Sequence, residues 1–507
     1  MTLAITAFCL YLVLMIGVGV FCARFYTKTM GDFYLGGRQM NDWVVALSAV
    51  VSGRSSWLIL GVSGIAFAKG ISAVWAVVGY ITVELFMFIF VGKRLRRYTH
   101  MVGAITLPDF YEARFRDRLH VLRLTSVIII VVFMVFYISA QLTAGGKTFC
   151  QSFAIGDEYS LHSVLLTAGI VVLYTLLGGF VAVSLTDVLQ GLFMLFGLVV
   201  LPIISVIDLG GLGVLYEAIK HAQGFPMVDP LALGLGGIVG YLGVGLGSPG
   251  NPHILVRYMS IKRPELLRKS ALVGTVWNVL MAWGAVFVGL VARAQVEMGV
   301  RPGEMASDPE RIFPSLAAQH LHPFVTGLMI AAVFAAIMST VDSQLLVASS
   351  AISRDLYQRI IKGRAEVAEK RMILLSRVVI LVMVVVATVI AAVAIEYPET
   401  KHIVFWLVLF AWGGLGASFG STLLPALFWK GTTSWGVFAG LISGTVITIV
   451  WKSTPQLAAI VYELIPAFGI SFVLVIVVSL MTKRPEGAEE ELSRIAARYR
   501  TGVGRMP

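Results

Sequence analysis

The sequence predicts an all-α integral membrane protein, and three observations carry that prediction. Its 507 residues are 58% hydrophobic and only 13% charged, with mean hydropathy +0.87, where soluble domains carry about 25% charged residues. The apolar residues fall in long runs, and a helix needs about 20 of them to cross a hydrocarbon core about 30 Å thick. Two of the runs are broken near their middles by glycine, serine or proline. Non-helical backbone at membrane depth is tolerated only where it lines a cavity, and paired broken helices mark transporters built from inverted repeats.

Thirteen spans are predicted: 4–24, 43–68, 71–92, 123–146, 161–178, 183–206, 231–248, 270–295, 323–350, 372–395, 402–428, 434–451 and 460–481. Span one has no positive flank and no small-residue cleavage site, so it reads as a helix rather than a cleaved signal peptide. Span two carries "VSGRSSW" at its centre. Span seven, "ALGLGGIVGYLGVGLGSPGNPHI", has seven glycines from Gly234 to Gly247, then Pro249 and Pro252. Close helix packing explains glycines, but each proline also removes a backbone donor. Spans two and seven are five apart, which makes them the first helices of two repeats. The predicted organisation is a peripheral helix (1–30), a first repeat (31–206, spans two to six), a second repeat (207–430, spans seven to eleven), two C-terminal helices (431–482) and a tail (483–507).

Charge sets the orientation. With the N-terminus outside, cytoplasmic segments hold 30 of the 39 Lys+Arg, external segments hold eight, and Arg54 lies inside a span. This follows the positive-inside rule. It places Lys147 and Lys401 outside, and Lys93, Lys362 and the C-terminal tail in the cytoplasm. The net charge of +11 is thus a topology signal. It does not signal nucleic-acid binding, which needs basic residues clustered on one folded face. Cys9, Cys22 and Cys150 suit neither a disulfide framework nor a metal site. The mixed-charge tail reads as a solvated helix at the cytoplasmic membrane surface.

Charges within spans are rare and usually functional. They are Arg54 (span two), Glu84 (span three), Asp187 (span six) and Asp342 (span nine), while Glu463 at a span end is expected to reach headgroups. Glu84 reads as a structural pair or a cavity edge. Asp342 sits among Ser339, Thr340 and Ser343. Hydroxyls, a carboxylate and the carbonyls of an unwound helix are hard oxygen ligands, suited to an alkali cation and not to zinc or copper.

These residues carry a family resemblance. "DFYLGGRQMNDWVVALSAVVSGRSSWLILGVSG", "AVSLTDVLQG", "GSPGNPHILVRYM" and "FAAIMSTVDSQLLVASSAISRDLY" resemble the sodium:solute symporter family, closest to its bacterial sodium/proline symporters. The resemblance implies the inverted-repeat fold shared with leucine transporters, with one helix before the core and two after. It implies sodium as the coupling ion, held by the carbonyls of Val51, Arg54 and Ala336 and the hydroxyls of Ser339 and Thr340. It implies an additional sodium position at Asp187 with the serines that include Ser343, and a solute site near Trp57, Tyr137 and Ser248.

The departures are informative. Gly53 stands where proline symporters have aspartate, Arg54 where they have methionine, and Asp342 where they have serine. Val244 and Ser248 replace a tryptophan and a tyrosine, which predicts a roomier, less apolar pocket and a solute larger than proline. Arg54 must be paired, because guanidinium does not lose its proton usefully. Two versions stand: it pairs with Asp342 or Asp187 beside a sodium site, or it occupies the cation site itself and transport is sodium-independent or proton-linked.

The expected protein is a secondary active transporter of the bacterial inner membrane that moves a small organic solute, such as an amino acid, together with sodium. It contains no phosphate-binding Gly-Lys-Ser loop, nucleophile elbow or metal-ligand cluster, so no covalent chemistry is expected. A transporter-like sensor would need a signalling domain, which the short tail does not provide. A channel would not need the broken repeats. The expected partners are the solute, sodium and the lipid bilayer, with no nucleic acid; the sequence does not specify an oligomeric state.

Overall fold

The computed structural model describes residues 1–26, 29–153, 155–156, 160–176, 178–222, 224–300, 308–363, 365, 367–396, 403–484 and 487–497. Lys401 lies outside the described residues. The described chain is helical throughout, with a single isolated bridge between Met40 and Ile261. Among the described residues, ten helices are long and apolar enough to cross a membrane. Spans two and three fall within one of these, the continuous run Asp42–Met101. Span five is the shorter helix Ser160–Thr175, and span seven is broken into pieces. The count of thirteen crossings therefore remains an expectation.

Span nine, Pro323–Ser350, is the axis of the molecule: residues 329–346 are all buried. Its apolar residues go all the way round, as a helix enclosed on every side requires. Spans one, two, four and six pack directly on it. Span eight, Leu267–Glu297, packs against spans two and six. The last two spans, Ser434–Ser453 and Leu464–Met481, pack on each other and on the lower part of span eleven.

Span seven is longer than its sequence suggested. It is an α-helix, Gly234–Leu242, a 3₁₀ run, Gly243–Gly250, an extended Asn251 (φ −90°, ψ 106°) and a second helix, Pro252–Ser260. The prolines looked like an end. Pro252 instead opens the second helix at a position where the missing N–H costs nothing. The glycines serve close packing. A Cβ on Gly245 would lie 2.3 Å from the Gly79 carbonyl oxygen, and one on Gly247 would lie 1.8 Å from Trp412 Nε1.

The cytoplasmic end, as the charge pattern orients the chain, is knitted by ions. Arg123 binds Asp109 (2.8 Å), Glu112 (2.5 Å) and Asp355, and Arg354 binds Asp109 at 3.1 Å. The tail helix Ala488–Ala497 is not simply solvated. Glu491 pairs with Arg116 (2.8 Å) and accepts from the Tyr98 hydroxyl (3.0 Å), and Leu492 is buried.

Candidate functional site

Span two breaks at Ser55, whose φ of 50° and ψ of −173° interrupt the helix Asp42–Ser56. Non-glycine residues adopt positive φ only at a cost of order 1–3 kcal/mol, and such strain collects at functional positions. A π-helical turn, Trp57–Val62, follows at once. Three of the backbone groups at the break have partners. Ser56 N–H would bond the Ser52 carbonyl in a regular helix, but it donates to Gln141 Oε1 at 3.0 Å. The Ser52 carbonyl accepts instead from Thr340 Oγ1 at 2.9 Å. Trp57 N–H turns to the Arg54 and Ser55 carbonyls and to Ser55 Oγ (3.1 Å).

The break in span two therefore faces the hydroxyls of span nine. Ser339 Oγ donates to the Ala336 carbonyl at 3.1 Å, and Ser343 Oγ to the Ser339 carbonyl at 2.8 Å. Val51, Ala336, Ser339 and Thr340 are fully buried, and so is Ser55. A hydroxyl that donates one hydrogen bond keeps its lone pairs, so Ser339 and Thr340 still offer oxygen to a cation. The donor set fits a hard, singly charged ion.

The Arg54 side chain does not join this set. Its guanidinium pairs with Glu84, donates from Nε to Asn278 Oδ1 at 2.8 Å, and lies 3.8 Å from the Tyr80 ring centroid. Asn278 Nδ2 in turn donates to Glu84 Oε2 at 2.6 Å. These partners belong to spans three and eight, whereas Ser339 and Thr340 belong to span nine. The expected pairing of Arg54 with Asp342 or Asp187 is thus corrected: the countercharge is Glu84. A guanidinium that fills the cation site is equally excluded by this placement.

Asp187 has its own partner. Arg257 Nη2 lies 3.2 Å from Asp187 Oδ2, and Arg257 Nε donates to Ser48 Oγ at 3.0 Å. Ser48 Oγ donates to the same carboxylate at 2.5 Å, and Arg257 Nη2 also reaches Ser343 Oγ. Arg257 had been counted among the cytoplasmic charges, because span seven was ended at residue 248. Its signal was present in "NPHILVRYM", a helical stretch opening on proline. Asp342 takes a weak bond from Ser343 Oγ (3.3 Å), while Asp342 Oδ2 and Asp187 Oδ1 have no hydrogen-bond partner among the described residues. Arg54 and Glu84 cancel, as do Arg257 and Asp187, and Asp342 remains as one uncompensated buried carboxyl.

The solute residues divide into two levels. Trp57 and Val244 line a cavity of about 460 Å³. Tyr137 and Ser248 do not line it and are buried. Tyr137 packs edge-on to His253, and Ser248 Oγ has no partner among the described residues. Val244 and Ser248 were both expected at the solute pocket, in place of two aromatic walls. They sit in the 3₁₀ run, where three residues make a turn and four do not, so the two side chains point apart. The cavity walls include Phe405, stacked 6.0 Å from Trp57, and Trp406. Glu463, expected to reach headgroups, is 2% exposed and lines the same cavity.

Residues 33–444 match the model of the sodium:solute symporter family. The chain is 38% identical over 477 residues to the high-affinity proline transporter PutP of Bacillus subtilis, covering 94% of this chain and 97% of that one. It is 37% identical over 497 residues to a sodium/proline symporter of Staphylococcus aureus, covering 96% and 94%. Among solved structures, the fold is similar to a Na+-coupled sialic acid symporter in a substrate-bound outward-open state, with TM-score 0.80 at 17% identity, covering 96% of this chain and 99% of that one. It is also similar to MhsT in complex with L-phenylalanine, with TM-score 0.55 at 14% identity, covering 86% and 97%.

Proposed function

The chain belongs to the sodium:solute symporter family, and we propose that it carries amino acids of the proline class inward together with sodium. Sodium-coupled symport of a small solute is the family's activity. The finer reading rests on one observation, the strained break at Ser55 facing the span-nine hydroxyls, with Thr340 bonded to the Ser52 carbonyl. In this reading sodium sits among the carbonyls of Val51, Arg54 and Ala336 and the hydroxyls of Ser339 and Thr340. It pins span two to span nine. Asp187, Asp342 and Ser343 form a second acidic position, where one further monovalent cation balances the uncompensated carboxyl. The solute enters the Trp57–Val244 cavity and descends toward Tyr137 and Ser248. The cavity volume leaves room for solutes bulkier than proline.

The test is sodium activation of tritiated L-proline uptake into proteoliposomes. A contact to a charged group contributes about 1.5–3 kcal/mol, and a tenfold change in affinity is about 1.4 kcal/mol. Ser339→Ala with Thr340→Ala should therefore raise the sodium concentration for half-activation by about tenfold or more, and leave proline affinity at saturating sodium near the parent value. Uptake by the parent protein that ignores the sodium gradient would refute the reading.

A further inference from the structure

The outer cavity carries two opposite charges, Glu463 and Lys452, that attract each other across it without a direct ion pair. Glu463 precedes the helix Leu464–Met481 and makes no capping bond to it. Its side chain is 2% exposed, and Oε1 has no hydrogen-bond partner among the described residues. A buried carboxylate oxygen without a donor carries its full desolvation cost, and it persists where something else supplies the donor. Lys452 comes from the last turn of the neighbouring helix Ser434–Ser453 and lines the same cavity. Its Nζ lies 4.4 Å from the Trp406 ring centroid, and its charge acts on Glu463 electrostatically without an ion-pair contact between the two. Trp57, Phe405 and Trp406 supply an apolar wall of the same cavity.

We infer that this cavity is an outer binding site for a zwitterionic amino acid with an apolar body, read at both ends before it reaches the span-two break. Glu463 Oε1 accepts from the solute ammonium, and Lys452 pairs with its carboxylate. The aromatic walls take the body, a surface sequence-tolerant in shape and able to accept a ring larger than proline's. A solute with one charge would leave the other protein charge unpaired, so the site selects for both together. The inference rests on the symport reading above and adds to it the residues that recognise the solute's charges.

The experiment uses the full chain, purified, with tritiated L-proline as the probe at saturating sodium. The competitors are cyclopentanecarboxylate, which lacks the amine, and pyrrolidine, which lacks the carboxylate. In the parent, both should compete at least about tenfold more weakly than unlabelled L-proline. Glu463→Gln should weaken L-proline by about tenfold and abolish the penalty for cyclopentanecarboxylate only. Lys452→Gln should do the same for pyrrolidine only. Half-activation by sodium should match the parent in both variants, because Ser339 and Thr340 are untouched. Unchanged L-proline affinity in both variants overturns the inference, as does an equal loss for proline and both half-molecules, which would mark a merely structural role. Failure of the parent to bind any labelled neutral amino acid overturns it as well. Parent binding that does not depend on sodium would instead refute the coupling while leaving the recognition of the solute charges to be read from the variants.

Discussion

Arg54 shows how much a single membrane-buried charge demands. It is 1% exposed, and its guanidinium has three partners: the Glu84 carboxylate, the Asn278 amide and the Tyr80 face. Removing one member of a buried pair leaves an orphan charge and costs about 3–5 kcal/mol, whereas removing both can be nearly neutral. Arg54→Met or Glu84→Gln alone should therefore lower the thermal unfolding midpoint sharply, and the double variant should recover most of the loss. Arg54→Met combined with Asp342→Ser should show purely additive effects, with no recovery of the Arg54→Met loss beyond the sum of the single variants, because the two sites share no partner. Recovery in that second pair, and none in the first, would reassign the countercharge.

Single elements do their work here by being interrupted or tied down. At the Ser55 break, side chains from spans four and nine take up freed backbone groups, and at the Asn251 break the Asn251 side-chain amide itself donates to the Gly247 carbonyl. At the cytoplasmic end the short helix Leu107–Phe115 is tied to the end of span nine through Asp109. Burial alone pushes the Asp109 carboxyl up, but Arg354, Arg123 and the Ile105 N–H together hold it down to about 2. A carboxyl held below its ordinary value of about 3.9 stabilises the folded state fully above that value. The contribution fades as pH falls toward about 2, and its size is about 2 kcal/mol. Asp109→Asn should thus lower the unfolding midpoint by the same amount at pH 7 and pH 5. The gap should narrow as pH falls below about 4. A gap that has closed by pH 5, or that persists undiminished at the acid end, would show that these arginines do not stabilise the ionised form.

At the scale of the whole molecule, the aromatic cavity and the ionic cluster lie at opposite ends of the spans. Trp57, Phe405 and Trp406 line the cavity at one end, and Arg123 joins Asp109, Glu112 and Asp355 at the other. The charge pattern puts the cavity outside. Lys147 is a poor reporter of this, because it is bound to Glu310 at 2.6 Å and Asp308 at 3.0 Å. Lys220 and Lys362 are exposed at the two ends. In a background with Cys9, Cys22 and Cys150 replaced by serine, Lys220→Cys should react with an impermeant thiol reagent in intact cells. Lys362→Cys should react only after permeabilisation. The reverse pattern would invert the orientation.

The sequence by itself determined the class, the two interrupted spans and the hydroxyl-rich stretch of span nine. These are local properties: apolar length, breaker residues and side-chain chemistry can be read in one window of chain. Only the tertiary structure decided which charge answers which. Arg54 finds Glu84 and Asn278, and Asp187 finds Arg257, because helix packing brings together residues that no sequence window contains. The same holds where geometry overrode expectation. Pro252 opened a helix and did not end one, which hid Arg257, and the 3₁₀ winding of Gly243–Gly250 turned Ser248 away from Val244. Buried polar groups must be satisfied, so the need for partners was legible in the sequence, while their identity was set by the fold.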